Sequence, residues 1–74
     1  MHTDQQTAPI VDLSLLHRGD EVEARRGGTA YYRGRVHATA PGLGMLWIRE
    51  QGRNARRAVP ADEYSIHRLG RARR

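Results

Sequence analysis

The sequence of 74 residues has no cysteine, no phenylalanine and no lysine. Without cysteine neither a disulfide framework nor a thiolate zinc site can form, and a reducing, cytoplasmic setting fits that composition. Apolar runs are only a few residues long, which excludes a membrane-spanning helix. Residues 1–6 lack the basic and apolar regions of a signal peptide. One tryptophan and three tyrosines are the only aromatic residues, so large side chains for a core are scarce. A chain this short supports one domain with one marginal core.

What is present in excess is arginine. All 13 basic residues are arginine, against 8 acidic ones, for a formal net charge of +5. Codon usage in a GC-rich genome explains the choice of arginine over lysine but not the excess of charge. A sequence pI near 11.0 in so small a domain is the footprint of a protein that meets polyanions.

Two runs with period-2 patterning flank Gly27-Gly28, and a third follows Ala40-Pro41-Gly42-Leu43-Gly44. Short strands joined by such turns predict a meander that has to curl to bury a core. Five strands are expected, over residues 20–26, 30–39, 45–50, 55–59 and 65–69. Gly27-Gly28 suits a tight hairpin, because glycine takes positive φ freely. Gly34, in mid-strand, predicts a bulge or a sharp bend. Alternation puts Val22, Ala24, Val36 and Ile48 inside. Pro60 followed by Asp62 and Glu63 predicts one helical turn over residues 60–64. Residues 10–16 are apolar enough to lie on the barrel, with helical and strand spacing both possible and Asp12 placed to cap a single turn. Residues 1–9 read as a disordered arm and residues 70–74 as a mobile basic tail.

The stretch from Gly19 to Leu69 resembles the Tudor branch of SH3-like barrels, on Gly19-Asp20-x-Val22-x-Ala24, Tyr31-Tyr32-Arg33-Gly34-Arg35-Val36 and the third-strand run ending at Gly52. Its first half is also similar to the KOW motif of ribosomal and elongation proteins. The resemblance implies an all-β, five-stranded SH3-like barrel with a short helical turn before the last strand. A Tudor reader of methylated side chains holds its ligand in an aromatic cage. Here Tyr32 occupies one cage position, while Arg25, Ile48 and Gln51 occupy the others. A KOW-like role needs no cage and implies contact with RNA or protein.

Pairing the second strand with the third sets Arg35 opposite Arg49 and His37 opposite Trp47, and the fourth strand adds Arg56 beside Arg49. With Arg33 and Arg53 this makes a cationic strip around one tryptophan. Like charges opposite one another destabilise a sheet unless an anion offsets them. Arginine grips phosphate through paired donors, and Trp47 or Tyr31 would stack on bases. Trp47 equally fits the core, with the arginines a solvated face. Arg68, Arg71, Arg73 and Arg74 would add sequence-independent phosphate contacts or serve only as a solubilising end.

The expected function is therefore non-catalytic nucleic-acid binding, to DNA or RNA, by a monomer or weak dimer. The alternative is a protein-interaction module for an acidic surface in transcription, translation or phage machinery. No catalytic residue, cofactor or metal ligand is expected. The four histidines are scattered, no nucleophile motif occurs, and a barrel this small is filled by its own side chains.

Overall fold

A computed structural model describes residues 8–53 and 55–72. It is all-β. Five strands, β1 (Glu21–Arg26), β2 (Thr29–Ala40), β3 (Met45–Glu50), β4 (Arg56–Pro60) and β5 (Ser65–Gly70), form one antiparallel sheet in the order β4-β3-β2-β1-β5. The four sequential strands are a meander, and the last returns to pair with the first. Gly27 and Gly28, with φ of 58° and 82°, close the β1–β2 hairpin as the left-handed tight turn requires.

One face of the sheet buries its side chains. Val22, Ala24, Val36, Leu46, Ile48, Val59 and Ile66 join Leu13 and Leu16 in a single cluster. The leucines come from a 3-10 turn over Leu13–Leu15, capped by Asp12, whose carboxylate accepts from the Ser14 amide. Ile10, Leu13 and Leu16 are three apart. That is the period of a 3-10 turn, so they share a face while Val11 and Leu15 stay exposed. The Ile10 amide donates to the Ile66 carbonyl and pins the segment beside β5.

Three local expectations need correction. Gly34 is not a bulge. The β2 register instead slips at Tyr31, between Tyr32 (opposite Ala24) and Ala30 (opposite Arg25), and at His37, between Val36 and Ala38. Gly34 serves close approach: a Cβ there would lie 2.8 Å from the Arg49 carbonyl carbon and 3.0 Å from the Glu50 Cα. Residues 60–64 make the expected single turn, with the Glu63 and Tyr64 amides both donating to the Pro60 carbonyl. The expected loop after β2 is a 3-10 turn, Pro41–Leu43; proline at its first position sets φ for it.

The third correction concerns the tail. Arg68 is a β5 residue opposite Val22, and its guanidinium bonds Asp20 Oδ2 at 3.2 Å and the Leu15 carbonyl at 3.0 Å. Gly70 belongs to β5, and the Ala72 amide donates to Asp20 Oδ1. Arg71 is exposed. Arg73 and Arg74, with residues 1–7 of the expected arm, lie outside the described residues. No helix among the described residues is long and apolar enough to cross a membrane.

Candidate nucleic-acid interface

The sheet face opposite the core is built in cross-strand rows. Leu46 and Ile48 are fully buried on β3, so alternation turns Met45, Trp47 and Arg49 to the other side. Arg49 lies opposite Arg35 on β2 and Arg56 on β4, which makes one row of three arginines. The next row is Ala38, Trp47 and Ala58, and the one beyond it is Ala40, Met45 and Pro60. Trp47 is thus a half-buried residue of the outer face and not part of the core cluster.

The arginine pairing follows the expected register, but the tryptophan pairing does not. The bulge at His37 shifts β2 by one residue and puts Ala38 opposite Trp47. A bulge leaves its extra residue outside the ladder. His37 is half-buried beside the arginine row, and Arg56 Nη1 lies 3.2 Å from its Nε2. Donation by the guanidinium makes Nε2 the acceptor and puts the ring proton on Nδ1. Partial burial, then the positive charges of Arg18, Arg56 and Arg49, hold the His37 pKa below the ordinary imidazole value.

The two outer arginines of the row have neutral acceptors. Arg35 Nη1 donates to the Gly19 carbonyl at 3.1 Å, and Arg56 to His37. The carboxylates of the neighbourhood are engaged by other cations: Glu21 by Arg33 at 2.8 Å, Glu50 by Arg57 at 2.8 Å and Glu23 by Arg25 at 2.6 Å. Arg53 is exposed in the β3–β4 turn. With Arg35, Arg49, Glu21, Glu50, Gln51 and Gly34 it lines a notch of about 160 Å³ beside the row.

Sequence reasoning brought Arg35, Arg49, Arg56 and Trp47 together correctly. It did not find Arg18, which lies in the turn before β1. That turn is stitched to β2 by the Gly19 amide on the Val36 carbonyl, a contact with no local sequence signal. Arg33 sits on the same strand but is neutralised by Glu21. Tyr31 is 52% exposed and belongs to a different cluster. Its ring centroid is 6.4 Å from that of Tyr32 and 5.8 Å from that of Tyr64, and Tyr32 and Tyr64 are 5.5 Å apart. The Arg57 guanidinium covers the Tyr32 ring at 4.3 Å. Tyr31 and Ala38 are seven positions apart on β2, about 20 Å along an extended strand, so Tyr31 and Trp47 do not form one stacking strip.

Three or more His, Asp or Glu side chains do not converge anywhere among the described residues in a way that could hold a metal ion. Compared with known proteins, the chain matches no family model, no curated protein and no solved structure.

Proposed function

We infer that the chain is a non-catalytic nucleic-acid-binding module of the cytoplasm, and that its sheet is a small SH3-like barrel of the Tudor or KOW type. The barrel reading is supported by the strand order and by the contribution of both end strands, through Val59 and Ile66, to one core. The KOW branch is favoured over the methyl-reading branch because Arg57 already covers the Tyr32 ring.

The observation that carries the functional reading is the register Arg35–Arg49–Arg56, with the outer two bonded to a carbonyl and a neutral imidazole. Such a row strains the isolated protein. A polyanion relieves that strain and gains paired guanidinium–phosphate bonds. Arg18 and Arg53 extend the positive field at either side. Binding to an oligonucleotide is expected to weaken linearly with log salt, by about 0.7 to 0.9 in log affinity per phosphate engaged. Arg35→Gln and Arg56→Gln are each expected to reduce that slope by about one phosphate. A slope near zero in a salt titration would overturn the reading.

A protein-interaction role is the second reading. It is favoured by β4, an end strand of the sheet, since a sheet edge offers backbone groups to an added strand. An acidic partner would use the same arginines, and its binding would survive nuclease treatment.

A further inference from the structure

We propose that the arginine face takes single-stranded nucleic acid, with one base lying on Trp47 and neighbouring phosphates on the Arg35–Arg49–Arg56 row. The inference rests on the polyanion reading above and adds to it a strandedness and a stacking residue.

Trp47 is the aromatic residue of the chain whose ring is left without a partner of its own kind. The three tyrosines pack on one another, and Arg26 and Arg57 lie over two of them. Among the described residues no ring and no guanidinium stacks on Trp47. Its cross-strand neighbours are Ala38 and Ala58, both exposed. The indole is partly buried, and the part left open presents apolar surface to solvent beside the two alanines. A partly exposed indole one row from three arginines matches a ligand that has both a flat apolar part and an anionic part. Nucleotides have both.

The spacing fits one chain of nucleotides. Trp47 and Arg49 are two residues apart on β3, so their rows are separated by about 6.6 Å along the strand. A base and the phosphates that flank it fit that interval. A duplex does not use the same surface. Its base faces are covered by stacking, and the major groove, about 12 Å wide, admits a helix or a two-stranded ribbon. Trp47 lies on the middle strand of β4-β3-β2, and three strands with their side chains exceed that width. A duplex docked here would meet the arginines by its phosphates alone and leave the indole against solvent or sugar. Single-strand binders combine a basic track with aromatic platforms in this way.

The chain's one tryptophan makes the test direct. The full chain would be titrated with oligothymidylate, oligouridylate, a duplex of equal phosphate count and inorganic polyphosphate, following tryptophan fluorescence and, by competition, affinity. Expected are quenching by both single strands, no quenching by polyphosphate, and single-strand affinity above duplex affinity. Trp47→Ala is expected to weaken single-strand binding on the order of ten-fold and to leave polyphosphate binding unchanged. Trp47→Phe should retain most of the affinity. If circular dichroism shows that the alanine variant fails to fold, Trp47→Leu provides an apolar side chain without a π face for the same comparison. Single-strand affinity unchanged by losing the ring, or a duplex bound as tightly as a single strand, would overturn the proposal while leaving polyanion binding standing. Failure of every probe to bind would overturn the polyanion reading itself. A difference between the two single strands would separate RNA from DNA.

Discussion

The Asp20 carboxylate, 1% exposed, lies 3.2 Å from the guanidinium of Arg68, 48 residues away in sequence. Four parts of the chain meet at this carboxylate. Oδ2 accepts from the His17 amide at 2.9 Å and from Arg68, Oδ1 accepts from the Ala72 amide at 2.6 Å, and Arg68 reaches on to the Leu15 carbonyl. The Asp20 carbonyl also accepts from the Val36 amide. The carboxylate therefore ties the turn before β1, β5 and the segment after β5 to the start of β1, Arg68 carries the link on to the first 3-10 turn, and the Asp20 carbonyl adds β2. It also holds the turn that carries Arg18 beside the arginine row.

Replacing Asp20 is expected to cost much more than a surface ion pair. Asp20→Ala leaves two backbone amides and a partly buried guanidinium without their acceptor, and breaking a buried pair this way costs about 3–5 kcal/mol. Urea unfolding should show a midpoint lowered by that energy divided by the slope, with the slope itself little changed. A loss below about 1 kcal/mol would mean that water replaces the carboxylate.

Asp20 also sets the acid limit of the fold. Burial pushes its pKa up, but the His17 and Ala72 amides and Arg68 together outweigh burial and hold it below the ordinary value of 3.8. A group depressed in the folded state contributes stability above its unfolded pKa and loses it as pH falls through the folded one. Stability should accordingly decline below about pH 4. Asp20→Asn should be less stable at neutral pH and show a flatter acid limb. Equal acid limbs in the two proteins would contradict the assignment.

Gly34 is set by space. Its φ is not in the left-handed region, so Gly34→Ala introduces no backbone strain of its own; the added methyl is driven into the Arg49 carbonyl on β3. Backbone cannot swing aside as a side chain can. The expected loss is at the upper end of the range for overpacking, about 3 kcal/mol. Gly42→Ala is the control, since nothing lies within 4 Å of its Cβ position and its φ is not positive. It should be neutral or stabilising by up to about 1 kcal/mol. Thermal unfolding of the two variants side by side checks both signs.

These residues mark what could and could not be read in the sequence. Period-2 alternation named Val22, Ala24, Val36 and Ile48 as core, because a strand buries every second side chain whatever its partners. It named the Arg35–Arg49–Arg56 row because short turns fix register. The His37 bulge was not legible: it depends on how β2 lies against β3, and one extra residue moved Trp47 from His37 to Ala38. Asp20 reads in the sequence only as the start of the first strand, because nothing near it announces Arg68 or Ala72. The tyrosine cluster had the same cause, with Tyr64 arriving from the turn after β4.

His37 gives the interface a pH dependence with a definite sign. Partial burial and the charges of Arg18, Arg56 and Arg49 keep its pKa below the ordinary imidazole value of 6.5 in the free protein. A phosphate on the arginine row offsets those charges and favours the protonated ring. The bound state then holds the extra proton at a pH where the free state does not, so affinity should rise as pH falls through the pKa of the complex. Oligothymidylate binding measured from pH 8 to pH 5.5 should tighten, and His37→Gln should remove the tightening. A pH-independent affinity in the unsubstituted protein would place the phosphates away from this row.

Arg56 and Arg57 are adjacent in sequence and face opposite sides of β4, and they should separate binding from stability. Arg57 lies opposite Ile48, donates Nε to Glu50 at 2.8 Å and covers the Tyr32 ring. Removing it takes away an ion pair and a cation–π contact at a site open to solvent, where each contributes little. Arg57→Gln should lower the unfolding midpoint and leave oligonucleotide affinity within about two-fold, since long-range charge counts little at moderate salt. Arg56 lies opposite Arg49 on the outer face. Arg56→Gln relieves a like-charge contact, so the fold should be unchanged or slightly more stable, while affinity falls and the salt slope drops by about one phosphate. Chemical denaturation and a salt-dependent binding isotherm on the two variants read the two axes independently. If Arg57→Gln weakened binding as much as Arg56→Gln, the ligand would be held by net charge alone and not by the outer face of the sheet.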